Sequence, residues 1–156
     1  MCKSKSDYIR EAISIAHSCL SDDRRYPFGS IIVKENKVVG VGRESTRVNN
    51  DPTAHSEIEA IRNACQNLKT SSLKNCVIYT SSEPCSMCLS ALFWSQIETI
   101  YYACSREDVF KFGFSDRFKL VEKRKNPGET GFKVTKLHQM KNEKGVQIFN
   151  DWKLKN

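Results

Sequence analysis

The chain has 156 residues, with 25 Lys plus Arg against 18 Asp plus Glu and 39% apolar residues. That length suits one domain over 1–156 with a buried core. No uncharged run reaches the roughly 18 to 20 residues of a membrane span, and the N-terminus lacks the apolar segment of a secretory signal, so a soluble, cytoplasmic protein is expected.

Seven cysteines, odd in number and mostly scattered, argue against a disulfide framework, and only Cys85 and Cys88 cluster. The net charge of +7 lies wholly in residues 117–156, which hold 11 basic and 4 acidic side chains. Such a segment can attract nucleic acid, but no base-reading motif interleaves with it, and it reads as a solvated lysine-rich face.

Along the chain, residues 6–20 place Ile9, Ala12, Ile13, Ala16, Cys19 and Leu20 on one helical face, with Ser6 or Asp7 available as cap. Residues 28–33 and 38–41 read as two strands joined by a polar turn, followed by a polar loop over 43–53. Apolar positions over 54–68 predict a second helix that begins near His55. Residues 76–79 form an apolar run suited to a strand buried on both faces. Pro84 fits the first turn of a helix through 85–94, and 99–103 supplies a fourth strand, so parallel neighbours joined by a crossover helix are expected. Weaker patterns predict a short helix around 106–112, a strand near 133–137 and a last helix around 146–154; Asn126-Pro127-Gly128 marks a turn.

The chemistry concentrates in His55-Ser56-Glu57 and Pro84-Cys85-Ser86-Met87-Cys88, each at the start of a predicted helix. Two thiolates three apart in a first helical turn point the same way, and an imidazole from a neighbouring helix completes three ligands. Zinc with three protein ligands keeps a tetrahedral position open for water, the arrangement of a catalytic site. Glu57 is too near His55 for easy ligation but well placed beside the open position, where it can move protons. A redox pair or half of a structural zinc site is the competing reading of Cys85 and Cys88. A structural site needs a fourth ligand, for which His17, His138 and Cys104 are the candidates.

The runs Pro27-Phe28-Gly29, Asp51-Pro52-Thr53-Ala54-His55-Ser56-Glu57 and Tyr79-Thr80-Ser81-Ser82-Glu83-Pro84-Cys85-Ser86-Met87-Cys88 resemble the cytidine deaminase superfamily over residues 6–116. Within it the chain is most similar to the small bacterial guanine deaminases. The resemblance implies an α/β fold of three layers, α/β/α, around a central mixed sheet of about five strands. It implies one zinc per chain on His55, Cys85 and Cys88, with Glu57 as proton shuttle. Trp94, the segment Gly113-Phe114-Ser115-Asp116, and a C-terminal segment with Phe149 and Trp152 favour the guanine deaminase branch.

By the same resemblance Phe28, Ala54, His55 and Trp94 surround the base. Asp116 contacts its exocyclic amine and joins Glu57 in catalysis, and residues 132–156 pack on the partner in a homodimer. Phe28 and Trp94 equally suit an ordinary core, and Asp116 an ordinary turn. Two departures stand out: the tail past Trp152 is short, and Glu44 occupies the position where the family usually has a substrate-holding Asn. An inward Glu44 carboxylate would accept hydrogen bonds and never donate them. Alternatively the loop turns it to solvent and brings Ser45 or Asn49 to the substrate. The expected activity is zinc-dependent hydrolysis of a guanine-like amino-heterocycle, a small-molecule base, to the oxo form with release of ammonia. Wobble deamination of tRNA adenosine and a non-catalytic, zinc-stabilised protein are the rivals.

Overall fold

Apolar residues at helical spacing produce α1 (Lys5–Ser18), whose inner face buries Ile9, Ala12, Ile13 and Ala16. This computed structural model describes residues 2–114 and 136–156. The cap of α1 is Ser4, one turn earlier than the sequence suggested: the Asp7 N–H donates to Ser4 Oγ at 3.2 Å, and the Ser4 N–H returns a bond to Asp7 Oδ2 at 2.7 Å.

The remaining elements are β1 (Gly29–Lys34), β2 (Lys37–Arg43), α2 (Thr46–Asn49), α3 (Ser56–Leu68), β3 (Val77–Ser82), α4 (Ser86–Trp94), β4 (Thr99–Cys104), α5 (Arg106–Phe110), β5 (Lys136–Gln139) and α6 (Glu143–Lys155). They build a five-stranded mixed sheet in the order β2-β1-β3-β4-β5. β1 is antiparallel to both neighbours, whereas β3, β4 and β5 run parallel, with α4 crossing from β3 to β4 as expected.

Strand alternation divides the core. Ile31, Val33 and Tyr79 pack with α1 and with Phe149 of α6, while Ile32 and Ile78 pack with Ala60 and Ala64 of α3 and Leu89 of α4. Each fully buried Ile or Leu contributes about 1.5–3 kcal/mol. β2 and α3 approach so closely that a Cβ on Gly42 would lie 1.9 Å from the Ser56 carbonyl oxygen, and one on Gly40 2.5 Å from that of Ala60.

Several sequence boundaries move. β3 runs on through Thr80, Ser81 and Ser82, all buried, and the first two hydroxyl groups find partners inside: Ser30 Oγ donates to Thr80 Oγ1 at 2.9 Å and the Gly29 N–H to Ser81 Oγ at 3.1 Å. A polar run thus completes a strand that hydropathy ends at Tyr79. Pro84 lies just before the helix cap Cys85 and not inside the first turn. Part of the loop over 43–53 is helical, as α2. β5 occupies 136–139, so the start of the strand predicted near 133 lies outside the described residues, as do Asp116 and the turn at 126–128.

The strand register positions the site. Ser30 pairs with Thr80 and Gly29 with Arg43, which sets Phe28 between Glu44 on one side and the exit of β3 on the other. The Glu44 N–H donates to the Phe28 carbonyl at 3.1 Å. Parallel β3 and β4 end at the same edge, where the cavity of an open α/β sheet is expected.

Candidate active site

His55 caps α3 and Cys85 caps α4, both with extended backbone, so each projects from a helix N-terminus at the sheet edge. Cys88 follows one turn into α4 and is fully buried. Cys85 and Cys88 place their sulfurs 3.5 Å apart, and His55 Nδ1 lies 3.7 Å from one and 3.6 Å from the other. Zinc with ~2.3 Å bonds to sulfur and ~2.0 Å to nitrogen in tetrahedral geometry requires separations of about 3.5–3.8 Å. The three atoms therefore already stand where zinc would hold them.

The electrostatics fit thiolate ligation. The Cys88 hydrogen bond, with help from His55 and the Cys88 backbone N–H, brings the Cys85 thiol down to about 4 despite burial. Cys88 is pushed up, first by sharing its proton with Cys85 and then by burial. Cys85 is thus the readier thiolate of the two, and a bound dication would displace the proton that Cys88 holds. No fourth protein ligand joins this group among the described residues. His17 and His138 are exposed, and Cys104 lies under α6, where a Cβ on Gly145 would come within 3.0 Å of its sulfur.

Glu57 is buried in the first turn of α3, and its Oε2 accepts the Ser56 hydroxyl at 3.0 Å. Burial pushes its carboxyl group up from the ordinary range, opposed by the charge of His55. The Ser56 hydroxyl also lies 2.8 Å from Ser30 Oγ, tying this turn to β1.

These groups open into a cavity of about 820 Å³, whose walls include Phe28, Glu44, His55, Glu57 and Cys85. Its apolar side is aromatic: Phe114 stands edge-on to Phe28 at 5.3 Å and meets Trp152 of α6 at 4.7 Å. Tyr26 continues the wall, with the Arg47 guanidinium 4.3 Å over its ring. Tyr26, Arg47, Arg106 and Phe112 also line the cavity and were not singled out from sequence. The recurring Phe110, Phe112 and Phe114 were the available signal.

The structure separates the remaining sequence candidates. Glu44 is inward, 2% exposed, while Asn49 is exposed and Ser45 takes a hydrogen bond from Arg25 at 2.6 Å, so neither replaces it. Ala54 is fully buried behind the wall, its carbonyl accepting the Ser45 N–H at 2.9 Å, and does not line the cavity. Trp94 is 82% exposed and does not line its own chain's cavity, because α4 starts at the ligands and carries its last turn away from them. Helix α6 rests on its own chain, with Phe149 1% exposed against Phe28 and Phe112. Asp116, Phe132 and Val134 lie outside the described residues.

Residues 2–104 match the family model of the cytidine and deoxycytidylate deaminase zinc-binding region. The chain is 38% identical over 111 residues to a guanine deaminase of Bacillus subtilis (strain 168), covering 71% of each sequence. The X-ray structure of guanine deaminase from that species superimposes with a TM-score of 0.73 at 32% identity, over 97% of this chain and 95% of that one. A tRNA-specific adenosine deaminase of Buchnera aphidicola subsp. Schizaphis graminum is 33% identical over 155 residues, 98% of each chain.

Proposed function

Because this chain belongs to the family of zinc-binding cytidine and deoxycytidylate deaminases, we propose that it hydrolyses the amine from a guanine-like base, leaving the oxo form and ammonia. The observation that carries this reading is the meeting of His55, Cys85 and Glu57 in one aromatic-walled cavity of about 820 Å³, with Cys88 buried beside the first two as the third member of the ligand cluster. That volume falls within the ~300–1,000 Å³ of small-molecule sites.

His55, Cys85 and Cys88 would hold one zinc per chain, which would activate a water as nucleophile near neutral pH. Glu57, buried beside the ligands, takes a proton from the attacking water and returns it to the departing nitrogen. A C–O bond forms, the C–N bond breaks, and the amine leaves as ammonia. Phe28 and Phe114 offer a flat apolar face to a planar ring and displace water from it. Asp116 is assigned to the exocyclic amine on resemblance. A non-catalytic zinc protein would have no use for a buried Glu57 or for this cavity.

The protein is assigned to purine metabolism in the cytoplasm and to a homodimer in which Trp94 and the 132–156 segment meet the second subunit. The full-length likeness to a tRNA adenosine deaminase and the basic C-terminal region favour one second reading, deamination of adenosine in tRNA. Ammonia release by zinc-loaded protein from guanine, 8-oxoguanine, cytosine, adenine, their nucleosides and aminotriazines tests the proposal. Turnover of guanine-type bases is expected. Inosine formation in tRNA with steep salt dependence, and no turnover of free bases, would replace it with the second reading.

A further inference from the structure

Glu44 is a buried acid in the cavity wall that the hydrolytic step leaves without a task. Its Oε1 accepts the Thr46 N–H at 2.9 Å and the Thr46 hydroxyl, and its Oε2 accepts the Tyr26 N–H at 2.8 Å. A carboxylate has about four lone-pair sites. Three are filled from the protein, and among the described residues no donor takes the fourth, on Oε2. Three converging donors suit the acceptor-only form of the group, so whatever fills the cavity beside Glu44 must bring a hydrogen to it.

Resting on the deaminase reading, we propose that Glu44 is a specificity-determining residue that accepts an N–H from the N7 edge of the imidazole half of the substrate. The pyrimidine half is committed elsewhere, since its amine-bearing carbon must lie at the metal ligands and its adjacent nitrogens at Glu57. The favoured substrates then carry a ring N–H on the N7 edge of the opposite half. 8-Oxoguanine does so through N7. Guanine in its usual 9H form carries its imidazole N–H at N9 and presents a bare N7 lone pair, which would face a lone pair of Glu44, so it must shift to its 7H tautomer to be accepted.

The alternative is a loop clamp: the same three hydrogen bonds pin Tyr26 and the start of α2, and Glu44 never touches a ligand. A clamp and a reader of N–H groups differ in one measurable ratio. The zinc-loaded parent and Glu44→Gln are assayed for ammonia release from guanine and 8-oxoguanine, with zinc content and denaturation midpoint recorded for both proteins. Expected is a preference for 8-oxoguanine in kcat/KM of about tenfold or more in the parent, which falls at least about fivefold in the variant. Equal loss on both bases, with the ratio unchanged, overturns the proposal and leaves the clamp. A parent that prefers guanine also overturns it.

Calorimetric titration of the same two bases into zinc-loaded parent and variant separates this from the deaminase reading. Absence of ammonia from either base defeats the hydrolytic reading alone, provided the affinity ratio still depends on Glu44. Equal affinities in both proteins, or no binding of either base, defeat the assignment of Glu44.

Discussion

Glu57 combines burial with a place in the cavity that His55 and Cys85 line, without belonging to the cluster of candidate metal ligands, so its removal separates chemistry from metal binding. Glu57→Gln is expected to keep the fold and full zinc while losing about 10²–10⁴-fold in turnover. Activity within a few-fold of the parent would remove the proton-transfer role. Cys85 and Cys88 make the complementary case, since each supplies one sulfur to a three-atom cluster with no fourth protein ligand among the described residues. Elemental analysis should find one zinc per parent chain, and none retained by the Cys85→Ala, Cys88→Ala double variant. Zinc surviving that double change would place the metal elsewhere.

Elements carry these side chains only as accurately as they pack. Gly42 lets the first turn of α3 lie against β2, and an added Cβ would meet backbone atoms, the Ser56 oxygen at 1.9 Å and the Ala60 nitrogen at 2.4 Å, which cannot rotate away. Gly42→Ala is therefore expected to cost about 1–3 kcal/mol in a denaturant titration. It should also lower zinc occupancy, because the displaced turn is capped by His55 and carries Glu57. Normal stability with normal zinc would mean that the sheet yields there at no cost.

At the other end of the chain, the Ser4 hydroxyl and N–H hold the Asp7 carboxyl below its ordinary range. A carboxyl lowered by folding adds stability above its unfolded value and loses it as pH falls through the lowered one. An NMR titration should show Asp7 with a midpoint below that of an ordinary aspartate, and Ser4→Ala should bring it back up. A midpoint in the ordinary range in the parent would dissolve the capping box in solution.

For the whole molecule, the cavity is closed by a helix distant in sequence. Trp152 of α6 packs 4.7 Å from Phe114 and 6.1 Å from Tyr26, completing the wall that begins at Phe28. Trp152→Ala should raise KM for the base several-fold with a smaller change in kcat, because it removes contact area and not a proton-transfer group. A fall confined to kcat would place Trp152 in the chemistry instead. Light scattering at micromolar concentration is expected to give the mass of a dimer, and a fully active monomer would end the proposed packing of the C-terminal segment on a second subunit.

Residue type and spacing alone determined the metal chemistry: two thiols one helical turn apart, a histidine with a glutamate two residues on, and Pro84 ahead of the second helix. Hydrophobic period likewise determined α1 and α3, because each must bury one apolar face, and Pro84 between two apolar runs determined α4 and the parallel pair around it. What the sequence left open depends on partners remote in the chain. Thr80 and Ser81 fall beyond the apolar run of 76–79, and only Ser30 and Gly29, across the sheet, supply the hydrogen bonds that let the strand include them. Trp94 and Trp152 are the same residue type with opposite fates: one stands 82% exposed at the end of α4, and the other lines the cavity. Glu44 is polar in a polar loop, and only the pairing of β1 with β2, which sets it beside Phe28 and under the N–H groups of Tyr26 and Thr46, turns its charge inward. Local pattern fixes which residues can do chemistry; the long-range register fixes which of them share a cavity, since a one-residue slip would face each of them the other way.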